Sequence, residues 1–273
     1  MALPGLNYVV LDANQLTVES TVADLIAEYR RIGQRIFLPW VHTFEQTKGS
    51  ANWFDKVHAH LRTEPHAVYL ALPSWIVAQH ERRMRRPQYG LRRIADRRNT
   101  MYLWRFLADP SPTADITELR TTVETMFRRT VVPGWTKILV ESVRVDTDEE
   151  ARSIRRGLQT GDRRPLREAM IGYVRLGRLE KALGHLLSSG GWSWRRAADL
   201  ARYPSQNALT LLAYMFLGMR QRYQTPKKGS EDNLACDIEA VQIALYGRRL
   251  VSADRLALEM DEDLRLIARA VWS

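Results

Sequence analysis

Short apolar runs alternate with amphipathic stretches over the first forty residues. Tyr8-Val9-Val10-Leu11 is a compact, partly β-branched run that predicts a strand, and it ends in Asp12-Ala13-Asn14. Across residues 21–29 the apolar positions recur at i, i+3, i+4 and i+7 behind Thr21, which predicts an amphipathic helix ending near Gly33. Residues 35–38 (RIFL) predict a second strand, stopped by Pro39. Strand, helix and strand joined by short connections make a parallel βαβ unit, so these two strands are expected side by side.

The middle of the chain reads mostly as helix. Residues 52–61, 74–86 and 91–107 carry helical patterns, the last with Ile94, Met101, Leu103, Trp104 and Phe106 as its apolar face. Residues 67–72 fit a strand or a helix equally. A helix over 115–129 and a third strand over 137–143 (KILVESV) follow, then a helix over 147–158 opened by Thr147 or Asp148. Residues 162–224 read as wholly helical, with helices over 165–176, 179–187, 194–203 and 207–223. The piece EAMIGYVRLGRLEKALGHL resembles half of a helical-hairpin repeat, but it occurs once and is expected as an isolated hairpin. QTPKKGS, residues 224–230, is a polar linker.

After that linker the pattern returns to strand and helix. Asp232 is expected in a loop and Asp237 at the opening of a helix, because Ile238, Val241 and Leu245 repeat at helical spacing. Gly247 marks a turn, and Leu250-Val251 is a short strand running into Ser252-Ala253-Asp254. Both ends of the chain therefore deliver a carboxylate at the tip of a short strand. In open α/β sheets, ligands bind at that edge. The expected fold class is α/β, a three-layer α/β/α sandwich with a parallel sheet of about four or five strands. One domain over 1–273 would have a discontinuous core, about 6–158 and 230–273, with 160–228 as a large helical insertion.

Composition adds three points. With 273 residues and 45% hydrophobic content the chain can bury a sizeable core. No apolar run reaches the ~18–20 residues of a membrane span, the N-terminus lacks a signal-peptide pattern, and no membrane partner is expected. Cys236 is the single cysteine, so no internal disulfide can form and a reducing, cytoplasmic setting is expected.

The net charge of +10 is carried mainly by arginine, which favours an anionic partner. Arg82, Arg83, Arg85, Arg86, Arg92, Arg93, Arg97 and Arg98 cluster on the helices between 82 and 105, and Arg155-Arg156 adds a second group. Nucleic acid is the favoured partner, against a basic face that binds nothing in particular. Trp53, Trp75, Trp104, Trp192 and Trp194 are candidates to stack on unpaired bases, although each also reads as core packing.

Several chemistries are excluded as motifs. The chain has no phosphate-binding G-x-x-x-x-G-K-[ST] loop, no G-x-G-x-x-G after a strand and no CxxC pair. His80-Glu81 lacks a second histidine at zinc-protease spacing, and His58 and His60 lie on different helix faces. What remains is a set of acids at strand ends and helix starts: Asp12, Glu45, Asp237 and Asp254. Taken singly, Asp12 could cap a turn, Asp237 could open its helix, Asp254 could cap the last helix, and Glu45 could be solvated. Taken together they fall where a parallel sheet gathers its catalytic edge. Crowded carboxylates repel unless a cation neutralises them, and Mg²⁺ or Mn²⁺ suits such all-oxygen ligation. A metal there would activate water and stabilise the leaving oxygen of a phosphodiester.

These residues resemble a known family, the PIN domain nucleases. YVVLDANQL is similar to that family's opening strand with its first metal-ligating aspartate, and LPWVHTFE to its second acidic motif. DIEAVQIALYGRRLVSAD is similar to its C-terminal signature of an acid-led helix, a glycine turn and a strand ending in aspartate. The likeness covers about residues 6–60 and 230–260, with 137–158 matching loosely. It implies an acidic quartet of Asp12, Glu45, Asp237 and Asp254 as catalytic metal ligands, supported by Asn14 and Ser252. Glu81, behind the similar YLALPSW, and Asp232 are alternates. It further implies a Mg²⁺- or Mn²⁺-dependent nuclease acting on RNA, as an endoribonuclease. The alternatives are a structure-specific DNA nuclease and a catalytically inactive PIN-like module binding RNA or protein. A protein inhibitor or a homo-oligomer is left open.

Overall fold

The computed structural model describes residues 5–39, 61–84, 94–108, 143, 145–224 and 231–272. Four short strands form one parallel sheet: β1 (Tyr8–Leu11), β2 (Arg35–Leu38), β3 (Val68–Leu70) and β4 (Arg249–Val251), in the order β3-β2-β1-β4. The first two strands fall on the predicted runs. Tyr8 registers with Arg35 and Val10 with Phe37, while on the other side Val9 registers with Arg249 and Leu11 with Val251. The ambiguous stretch at 67–72 resolves as β3 behind a 3-10 turn, Pro65–Ala67. The predicted strand over 137–143 and helix over 52–61 lie outside the described residues except for their last positions, Val143 and Leu61, and the helix over 115–129 and most of the linker lie outside them too.

Strand residues alternate strictly between two cores, as the period of two requires. Val9, Leu11, Ile36, Leu38, Val68 and Leu70 point to one side, where α1 (Ala13–Leu16), α2 (Glu19–Ile32) and α4 (Arg97–Ala108) contribute Leu16, Leu25 and Leu103. Tyr8, Val10, Phe37 and Leu250 point to the other, into a larger cluster built by the C-terminal helices. These are α5 (Asp148–Thr160), α6 (Arg164–Arg175), α7 (Arg178–Ser189), α8 (Trp194–Ala201), α9 (Gln206–Tyr223), α10 (Glu231–Ala244) and α11 (Arg255–Trp272). The molecule is thus mostly helical around a small parallel sheet, an α/β fold. Among the described residues no helix is long and apolar enough to cross a membrane.

Local chemistry explains the element ends. Gly33 stops α2 at φ 65°, where a side chain would be strained, and its N–H closes on Tyr29 O. Thr147, Ser193 and Ser205 cap α5, α8 and α9 through their hydroxyls. The helix α3 (Ser74–Arg83) starts directly behind Pro73.

Two predicted boundaries are corrected. The expected helix over 91–107 is interrupted: Ile94 is helical, Ala95 and Asp96 are not, and a new helix starts at Arg97. Ala95 forms an antiparallel bridge to Ala71, and Asp96 caps the helix by accepting from Asn99 N at 3.1 Å. Asp237 does not open a helix and Asp232 does not lie in a loop. Residues 231–236 hold no glycine or proline and extend α10 back to Glu231, placing both acids inside it.

Candidate functional site

The strand order places a switch point between β1 and β4. From β1 the chain steps one way to β2 and β3, then crosses to add β4 on the free side of β1. A crevice at the carboxyl ends of the two strands is the expected ligand position in such a sheet. Asp12 and Ser252 stand there. Asp12 continues the ladder by donating its N–H to Val251 O at 2.9 Å, and Ser252 Oγ donates to Asp12 Oδ2. Asp12 occupies the residue before α1, but its side chain makes no capping hydrogen bond to that helix. Asp12 is 6% exposed, and its carboxylate is engaged across the strands instead.

The two tips are laced further. Asn14 Oδ1 accepts from Ala253 N at 3.0 Å, and Ser252 Oγ accepts from Asp254 N at 2.9 Å. Asp254 caps α11, its Oδ1 accepting from Leu256 N at 2.6 Å and Ala257 N at 3.1 Å. Asp12, Asn14, Ser252 and Asp254 are therefore brought together by the fold, while Asp237 sits half-buried within α10. Glu45 lies outside the described residues, as do Arg85, Arg86, Arg92, Arg93 and Trp53.

Buried polar contacts hold this edge in place. Tyr8 Oη donates to Ile243 O at 2.6 Å, and Gly247 packs so closely on Tyr8 that an added Cβ would lie 2.5 Å from its ring. Arg265 donates to Ala244 O at the end of α10 and, at 3.0 Å, to Gly247 O in the turn that follows. Asp261 accepts from Arg265 Nε and from Leu250 N, the latter at 3.3 Å. One buried ion pair thus fixes the turn from α10 into β4, and with it the position of Ser252.

Glu81, an alternate ligand, has both oxygens engaged by the start of α9. It accepts from Gln206 N at 2.8 Å, from Asn207 N at 3.2 Å and from Asn207 Nδ2 at 3.1 Å. Burial pushes its pKa up to about 7, and these donors only partly offset that. Arg82 Nε reaches Asn207 Oδ1 at 2.8 Å, so this arginine packs against α9; Arg83, Arg97 and Arg98 are exposed. Trp104 donates to Val68 O at 2.6 Å, Trp192 packs on the large core, and Trp194 lies against Gly184 while 49% exposed. Trp75 is half-buried.

The pattern missed Glu239. It is fully enclosed on α10 and accepts from both the N–H and the hydroxyl of Ser74 at the start of α3, and burial pushes its pKa up to about 7. Beside it Gln242 accepts from Gln206 Nε2 and Thr210 Oγ1, both at 3.1 Å. The available signal was a glutamate and a glutamine at i, i+3 within the otherwise apolar IEAVQIALY.

Hard oxygen donors are what Mg²⁺ or Mn²⁺ requires, and the Asp12–Asp254 edge supplies them. Among the described residues, however, no three His, Cys, Asp or Glu side chains are grouped as ligands of one ion. Comparisons with family models, with curated proteins and with solved structures return no match.

Proposed function

We propose that the chain is a PIN-like nuclease, a three-layer α/β/α sandwich whose residues 160–228 are a helical insertion, hydrolysing phosphodiester bonds in RNA. The observation that carries this reading is Asp12 at the switch point. An acid at the tip of a central strand is withheld from helix capping and hydrogen-bonded instead to the tip of the neighbouring strand. Asp12 and Asp254 are the residues proposed to hold Mg²⁺ or Mn²⁺, with Asp237 and Glu45 completing the ligands and Asp232 and Glu81 as alternates. Bound there, the ion would supply water activation and charge neutralisation. Ser252 and Asn14 orient the acids, and exposed arginines such as Arg83, Arg97 and Arg98 would hold the strand by its phosphates.

A second reading is favoured by the missing three-acid group among the described residues. It is a PIN-like module that binds RNA or protein without cutting. Calorimetry of Mn²⁺ against the wild-type chain and Asp12→Asn separates the two. Binding that is lost in the variant supports the nuclease, and no binding to either supports the module. A panel of single-stranded RNA, flapped DNA and duplex DNA then tests the polymer, RNA being the expected substrate.

A further inference from the structure

At the β3 edge of the sheet, away from the Asp12 site, a cavity of about 280 Å³ opens between the sheet and α4. That volume lies at the small end of ligand pockets, the size for one compact group. Tyr69 of β3 and Trp104 of α4 form its aromatic walls, packed edge-to-face at 5.3 Å and 86°. Arg35, at the start of β2, holds its guanidinium 4.8 Å from the Tyr69 ring centroid. Arg97 stands on the same cavity at the start of α4, and Met101, 51% exposed, forms part of its lining.

Several arginines of the helical side of the molecule are tied to acids. Arg163, Arg167 and Arg220 each pair with an acid of α11 and tie their own segments to that helix, and Arg265 pairs with Asp261 within it. Arg35 and Arg97 have no hydrogen-bond or ion-pair partner among the described residues, although Arg35 is half-buried. A partly desolvated cation without a counter-ion is unfavourable unless a ligand supplies the charge. Thr100, by contrast, is already used, accepting from Leu70 N at 3.0 Å. The cavity therefore offers aromatic surface and two guanidinium groups with no acid partner among the described residues, one of them resting on Tyr69, and these suit a planar ring and a phosphate respectively.

We propose that this cavity binds a nucleoside phosphate, its base against Tyr69 and Trp104 and its phosphate on Arg35 and Arg97. The occupant is either a free nucleotide or one residue of a single strand, and the site stands whether or not the chain cleaves RNA. The test is calorimetry of the full chain in chelator, with AMP, GMP, CMP, UMP and a short single-stranded RNA, and with adenosine and inorganic phosphate as half-ligands. The variants are Arg97→Gln on the exposed first turn of α4, Arg35→Gln, and Met101→Trp to fill the cavity. Arg152→Gln, at an exposed arginine on α5, is the charge control. Arg97→Gln and Arg35→Gln are each expected to weaken nucleotide binding about tenfold, Met101→Trp to block it, and Arg152→Gln to leave it unchanged. The half-ligands are expected to bind more weakly than the nucleotides. Tighter binding of the oligonucleotide assigns the site to a strand, and equal binding assigns it to free nucleotide. The proposal is overturned if no nucleotide or strand binds by millimolar concentration, or if Arg97→Gln and Met101→Trp bind as the wild type does. Melting curves show whether Arg35→Gln is folded, and Arg97→Gln decides the matter if it is not.

Discussion

Ser252 donates its hydroxyl to Asp12 Oδ2 across 240 positions of sequence. Ser252 Oγ in turn accepts from Asp254 N at 2.9 Å, so one serine couples the first strand tip to the residue that opens the last helix. Replacing Ser252 by alanine removes both bonds and leaves the backbone path intact. The expected result is a loss of about 1 kcal/mol in stability and a fall in kcat/KM of about tenfold. Conversion to threonine, which keeps the hydroxyl, is expected to restore most of the activity. Steady-state cleavage beside urea unfolding separates the positioning role from simple destabilisation.

Gly247 gives a prediction about folding alone. A Cβ there would meet Tyr8 Cε2 at 2.5 Å and the backbone oxygen Tyr8 O at 2.8 Å, and neither is the loose end of a flexible chain. Gly247→Ala is therefore expected to cost about 1–3 kcal/mol, read as a lower urea midpoint.

Arg265 and Asp261 form a buried pair whose loss leaves an uncompensated charge. Their side chains are 14% and 9% exposed. Arg265→Met leaves Asp261 alone in the interior and uncaps Ala244 O and Gly247 O, with an expected cost of about 3–5 kcal/mol. The double variant Arg265→Met, Asp261→Leu is expected to recover part of that loss. If the two changes simply add, the coupling assigned to this pair is absent.

Glu81 and Glu239 set the pH dependence. Both have pKa values raised from 4.5 to about 7 by burial. Between those values the folded chain keeps its protons while the unfolded chain has released them. Acid therefore favours the folded state, and the advantage is lost as pH rises from about 4.5 through 7. Glu259, lowered by Arg220 and Arg255, acts in the opposite sense but below that window. The melting temperature is expected to be higher at pH 5.5 than at pH 8. Glu239→Gln, which can still accept from Ser74 N, is expected to flatten that difference. A melting temperature that rises from pH 5.5 to pH 8 in the wild type would count against the burial of charge described for these residues.

How much of this was legible depends on whether the signal was local. The first two strands announce themselves in YVVL and RIFL, and the Asp12 tip follows from where the first of them stops. The cap at Thr147 is written in the residue at the helix start. The start of α4 was missed because Ile94 continues a helical pattern, while the bridge between Ala95 and Ala71 depends on a strand some twenty-five residues earlier. The extension of α10 to Glu231 was missed because an aspartate is a common opener, and Asp237 drew the boundary to itself. Asp261 and Arg265 pair with each other at i, i+4 on α11, but their further partners, like that of Glu239, come from other helices and strands. Ser74, Leu250 and Ala244 meet them only in the folded chain.

The Asp12–Ser252 edge is the proposed centre of a metal-dependent nuclease. Its most direct test is cleavage of single-stranded RNA by the wild-type chain and by Asp12→Asn, in Mn²⁺ and with chelator. The predicted result is cleavage by the wild type in Mn²⁺, none with chelator, and at least a hundredfold less by the folded variant, a loss of about 3 kcal/mol in transition-state stabilisation. Equal cleavage by wild type and Asp12→Asn, or cleavage that persists in chelator, would contradict it.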